Sequence, residues 1–115
     1  MRIVKPDTLL YSILIPAYNE AKNLPPTLEQ LAVALRREGI PFEFLVVNDN
    51  STDETPQVLE SLAAVYPELR AVTNPPPGGL GRAIRCGLKH FKGDVVAVVM
   101  ADSSDSPEDV VACYR

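Results

Sequence analysis

Leu45-Val46-Val47-Asn48-Asp49-Asn50-Ser51-Thr52-Asp53-Glu54-Thr55 is the stretch that decides the fold: an apolar strand runs straight into a carboxylate and then into residues that start helices. In an open α/β sheet, ligands sit outside the carboxyl ends of the strands, where a side chain or a helix N-terminus can meet them. That position makes Asp49 a candidate ligand contact. The arrangement recurs in Ile13-Leu14-Ile15-Pro16-Ala17-Tyr18-Asn19-Glu20 and in Val95-Val96-Ala97-Val98-Val99-Met100-Ala101-Asp102-Ser103-Ser104-Asp105, so three strands deliver acids to one edge.

Working outward from this stretch, strands and helices alternate along the chain. Such alternation predicts a Rossmann-like α/β fold, an open parallel sheet with helices on both faces. The first strand covers about Tyr11 to Ile15, and Asn23 is placed to cap a helix that holds Pro25 and Pro26 in its first turn and ends at Gly39. Phe42 to Val47 reads as a central strand, apolar on both faces. Asp53 or Thr55 then caps a helix whose core side is Val58, Leu59, Leu62, Ala63 and Tyr66. A third strand, about Leu69 to Thr73, runs into Asn74-Pro75-Pro76-Pro77-Gly78-Gly79, which no helix can cross. Leu80, Ala83, Ile84, Gly87, Leu88 and Phe91 follow at helical spacing, and Asp94 to Met100 is the strongest strand. Ser106-Pro107-Glu108-Asp109 opens a fourth helix, inside which the chain ends. Right-handed crossovers that wind outward on both sides of the first strand give the expected order 3-2-1-4. The domain is expected to span 11–115 after an N-terminal extension, 1–10, and to be the front portion of a longer protein.

A chain of 115 residues fits one domain with a single core. Its 46% hydrophobic and 23% charged residues are ordinary for a soluble protein, and no apolar run approaches the ~18 residues of a membrane span. The first residues lack the apolar stretch and cleavage site of a signal peptide, which leaves the cytoplasm as the expected compartment. Cys86 and Cys113 lack CxxC spacing, His90 is alone, and buried free thiols are expected rather than a zinc site or a disulfide. A net charge of −4 argues against a nucleic-acid partner.

Set side by side, these elements resemble the family 2 glycosyltransferases of the GT-A fold, most closely the branch of dolichyl-phosphate mannose synthase and its polyprenyl-phosphate sugar transferase relatives. The resemblance is carried by Ile15-Pro16-Ala17-Tyr18-Asn19-Glu20, by Asn48 to Thr55, by Gly79-Leu80-Gly81-Arg82-Ala83 with Gly87-Leu88, and by Met100-Ala101-Asp102. It implies that 11–115 is the nucleotide-binding half of a GT-A domain. The full protein would then move a sugar from a GDP- or UDP-linked donor to an acceptor, with a polyprenyl phosphate as the expected one, at the cytoplasmic face of a membrane reached through parts beyond residue 115. Pro16, Ala17, Tyr18 and Glu20 would line the base and ribose pocket, and Asp49 would read a base N–H. Ala101 and Asp102 match the end of the DxD motif, with Asp102 as the catalytic carboxylate that holds Mg²⁺ or Mn²⁺ on the donor diphosphate. Hard oxygen ligands suit such ions, which offset the charge on the leaving diphosphate.

Two departures from the family pattern stand out. The usual acidic pair of the second motif is Asn48-Asp49, and Met100 stands where the first Asp of DxD belongs. Asp105 is the candidate replacement ligand, in a DxxD spacing that Ser103 and Ser104 permit through a turn. Simpler readings compete with these roles: Asp49 and Asn50 as helix caps, Asp102 and Asp105 as a solvated turn, Glu20 as a first-turn acid, and Tyr18 as a core residue. Gly79-Leu80-Gly81 fits neither a dinucleotide fingerprint nor a P-loop, although Arg82 near the helix start could reach a phosphate. A binding-only nucleotide-sugar module is the alternative function. A signalling receiver is excluded because its acid pair should end the first strand, where Pro16-Ala17-Tyr18 stands.

Overall fold

The computed structural model describes residues 9–114, so the first eight residues of the expected N-terminal extension, and Arg115, lie outside the described residues. Eight elements follow in strict alternation: β1 (Tyr11–Ala17), α1 (Leu24–Arg37), β2 (Phe42–Asn48), α2 (Thr55–Val65), β3 (Leu69–Thr73), α3 (Leu80–Leu88), β4 (Val95–Val98) and α4 (Pro107–Tyr114). All strand pairs are parallel and the sheet order is β3-β2-β1-β4, as outward-winding right-handed crossovers require.

Strand pleating sorts the side chains onto two faces. Tyr11, Ile13, Ile15 and Ala17 of β1, with Phe42, Phe44 and Val46 of β2, meet Leu24, Leu28, Leu31 and Leu35 of α1, Leu59 of α2, and Val110 and Tyr114 of α4. The opposite face is thinner. Leu14 and Val47 pack there on Ala83 and Cys86 of α3. A Cβ at Gly87 would come within 2.4 Å of the Leu14 side chain, so glycine lets α3 lie directly on the sheet.

The reading of β2 as apolar on both faces needs one correction, because Glu43 sits on the α3 face and is only 9% exposed. It is compensated rather than stranded. Glu43 accepts hydrogen bonds from Ser12 Oγ (2.5 Å), the Lys92 N–H (2.7 Å) and Arg70 (3.3 Å). Burial alone would raise its pKa; those three donors and the Arg70 charge together hold it below the ordinary value.

The segment expected to be the strongest strand is short, ending at Val98, and half-exposed. Among the described residues β4 is an edge strand, so its apolar side chains lack a neighbour on one side. Asn23 precedes α1 but makes no side-chain cap, its amide turning back to Glu20 at 2.8 Å. Cys86 is buried as expected; Cys113 is exposed on α4.

Candidate functional site

The carboxyl ends of β1 and β2 are tied together by their loops. Asn19, in the left-handed region at φ 53°, receives the Thr52 and Asp53 N–H groups on its side-chain oxygen (2.7 and 3.2 Å). Ser51 Oγ and Thr55 Oγ1 accept the N–H groups of Asn19 and Glu20, both at 3.0 Å. Asp53 accepts the Thr55 N–H at 2.9 Å just before α2, whose N-cap is Glu54, with no side-chain cap bond, rather than the expected Asp53 or Thr55. The Ser51–Thr55 run therefore builds the loop, and Asp49 stays out of the capping work.

Asp49 instead faces the Pro/Gly loop. Its carboxylate accepts hydrogen bonds from Asn74 Nδ2 (2.9 Å), the Gly79 N–H (3.0 Å) and Asn50 Nδ2 (3.2 Å), and the residue is 7% exposed. Burial pushes its pKa up, but the donors from Asn74, Gly79 and Asn50 outweigh that and keep it below the ordinary carboxylate value. Two glycines permit this approach. A Cβ on Gly78 would lie 3.1 Å from Asp49 Oδ1, and Gly79 has φ 134°, a conformation L side chains rarely adopt.

Between these loops lies a cavity of about 720 Å³, lined by Pro16 and Ala17 at the end of β1, Tyr18 and Glu20 after it, Asp49 and Asn50 after β2, Gly78 and Gly79 before α3, Leu80 at its start, and Met100 after β4. Five of the expected contacts therefore come together: Pro16, Ala17, Tyr18, Glu20 and Asp49. Tyr18 is 57% exposed, so its ring is not a core residue and is available for stacking. Sequence reasoning gave no ligand role to Asn50, Gly78, Leu80 or Met100; the Pro/Gly punctuation was the one signal that the loop folds over a strand end.

The remaining expected residues fall elsewhere. Ala101 is buried, and its carbonyl accepts the Thr27 hydroxyl at 2.7 Å. Asp102 is exposed, and the Ser104 side chain and N–H (3.0 Å to the N–H) hold its pKa below the ordinary value. Asp105 accepts the Met100 N–H at 3.0 Å, which closes the turn between them. Among the described residues, no three His, Cys, Asp or Glu side chains gather into a metal-binding group. Arg82 lines a separate cavity behind the proline loop.

This fold and edge geometry fit the glycosyltransferase resemblance, and comparison with known proteins places the chain: the family model "Glycosyl transferase family 2" matches residues 12–114, and the chain belongs to that family. Dolichyl-phosphate beta-glucosyltransferases ALG5C and ALG5A of Trichomonas vaginalis are 30% and 32% identical over 89% and 93% of the chain. The chain spans about a third of the length of these curated relatives (32% and 35%). Among solved structures, the mannosyltransferase PcManGT of Pyrobaculum calidifontis, in complex with GDP-Man and Mn²⁺, superposes with a TM-score of 0.70 at 28% identity, over 82% of this chain and 28% of that one. S. aureus TarS 1-349 in complex with UDP gives 0.63 at 29% identity, over 80% and 27%. The structural neighbours are GT-A glycosyltransferases. No described helix is long and apolar enough to cross a membrane.

Proposed function

We propose that the cavity at the β1–β2 edge holds the nucleotide of a GDP- or UDP-linked sugar, and that the full-length protein transfers the sugar to a polyprenyl phosphate. The observation that carries the reading is the convergence of Pro16, Ala17, Tyr18, Glu20 and Asp49 on one cavity at the carboxyl ends of parallel strands. The names of the relatives support the acceptor class, and the GDP-Man and UDP complexes of the neighbours support the donor class.

In this reading Tyr18 stacks on the base, Glu20 meets the ribose hydroxyls, and Asp49 accepts a base N–H while keeping the Gly78–Gly79 loop in place. A phosphate acceptor is ionised at neutral pH, so this half of the domain needs no strong general base.

The donor set fits a substrate-assisted metal site. Asp102 presents one exposed carboxylate, and Mg²⁺ or Mn²⁺ is commonly held by one or two carboxylates with substrate phosphates completing the shell. When bound, the ion would offset negative charge on the leaving diphosphate. Asp102 would hold it, with Asp105, whose Oδ2 accepts the Met100 N–H and shapes the turn, as the candidate second carboxylate. Met100 in the cavity wall favours a second reading, a nucleotide-sugar-binding module without turnover.

Titration calorimetry of UDP-glucose and GDP-mannose, with and without Mn²⁺, tests the proposal. Binding that Mn²⁺ enhances, and that loses the enhancement in Asp102→Asn, is the expected result. Affinity for neither donor under any condition would overturn it. Sugar transfer to polyprenyl phosphate by the full-length protein separates the enzyme from the binding module.

A further inference from the structure

Every acid in the chain lies outside residues 69–93, whereas Arg70, Arg82, Arg85, Lys89, His90 and Lys92 all lie within them. A protein of net charge −4 thus carries one wholly cationic stretch, comprising β3, the proline loop and α3. The fold gathers much of it into a groove of about 420 Å³. Arg82, Arg85, Lys89 and His90 form one wall and Asn74 to Pro77 the other, with the buried Cys86 between them.

Arg82, Arg85 and Lys89 recur at i, i+3 and i+7, which puts them on one face of the helix and its C-terminal end. All three are exposed, and none makes an ion pair among the described residues. Arg36 and Arg70, by contrast, are paired with Glu68 and Glu43. Mutual repulsion of unpaired like charges on one helix face is a standing cost, and a bound anion removes it. The proline wall adds rigidity but no competing carboxylate. Asn74 joins this groove to the first cavity, because its amide is the donor that anchors Asp49.

We propose that this groove is a second binding site, for a phosphate-type dianion. Arg82 and Arg85 grip the phosphate oxygens through their guanidinium forks, and Lys89 adds a point charge. His90 Nδ1 is engaged with the Cys86 carbonyl at 2.7 Å, so any contact from its ring comes through Nε2. The groove's chemistry does not depend on what the first cavity holds. The phosphate could come from a free phosphate ester or from a lipid headgroup presented at a membrane surface.

Two arms test the site and distinguish its sources. In the first, ¹H–¹⁵N spectra of the chain are followed while glycerol phosphate is added at constant ionic strength; amides of Asn74 and of 80–92 should shift in a saturable way. In the second, sedimentation with phosphatidylcholine vesicles is compared with and without phosphatidic acid. Each of Arg82→Gln and Arg85→Gln should weaken binding by about tenfold or more, as expected for loss of a charge-assisted bond. Tyr18→Ala, in the first cavity, should leave it unchanged, and circular dichroism would confirm that each variant folds. Saturable glycerol phosphate binding identifies a free ester; retention on acidic vesicles alone identifies a headgroup. No binding in either arm, or binding indifferent to both arginines, would overturn the proposal.

Discussion

Replacing Asp49 with alanine should destabilise the fold before any ligand is considered. The carboxylate accepts two well-formed hydrogen bonds, from Asn74 Nδ2 at 2.9 Å and the Gly79 N–H at 3.0 Å, and a longer one from Asn50 at 3.2 Å. Asn74 is itself buried, so truncation leaves its amide without that partner. Two hydrogen bonds to a charged group contribute roughly 3–6 kcal/mol together. Removing the carboxylate also removes its own desolvation cost, which brings the expected loss to about 2–4 kcal/mol. A domain of this size has a total stability of only ~6–17 kcal/mol. The loss is therefore a large fraction of the whole. Urea unfolding followed by far-ultraviolet circular dichroism should show a midpoint lowered by about 1 M or more, given slopes of ~1–3 kcal/mol/M. Because the folded carboxyl titrates below its unfolded value, its stabilisation is full above the unfolded pKa and fades as pH falls through the folded one. Asp49→Asn should accordingly flatten the acid limb of the stability profile. A loss under about 0.5 kcal/mol, the range of an ordinary surface substitution, would refute the role of Asp49 as a strut.

Gly87→Ala should cost about 1–3 kcal/mol, since its new Cβ would meet Leu14 Cδ1 at 2.4 Å in a closed core; thermal denaturation checks this. Glu43→Gln should cost about 1–3 kcal/mol at neutral pH through its bonds to Ser12, Lys92 and Arg70. That difference should shrink in acid, because the stabilisation from this lowered carboxyl is full above the unfolded carboxylate pKa and is lost as pH falls through its folded one. Thr27→Val removes the hydroxyl that donates to the Ala101 carbonyl and pairs with Ser103 Oγ at 2.5 Å. Faster amide exchange in 101–105, with the rest of the chain protected as before, is the expected result.

The sheet order and the alternation of elements were legible because apolar runs, Pro/Gly breaks and crossover handedness are local or generic signals. The placement of Asp49 at a strand end was legible for the same reason. Its partners were not, since Asn74 and Gly79 lie far along the sequence and reach it only when the loop folds back. Glu43 was hidden inside an apolar run, and its compensation depends on Ser12, Arg70 and Lys92 from three other segments. Arg82 could be placed near a helix start from the sequence, but which side of the proline loop it would occupy depends on how α3 docks on Leu14 and Val47. Position along the strand predicted the edge. Tertiary packing decided which groups share it.

The central claim, that the β1–β2 edge cavity is the nucleotide site, is tested most directly by amide chemical-shift mapping with UDP and GDP. The account predicts saturable shifts concentrated at Ala17 to Glu20, Asp49 and Asn50, and Gly78 to Leu80. Saturable shifts confined to other parts of the chain, or none with either nucleotide, would contradict it.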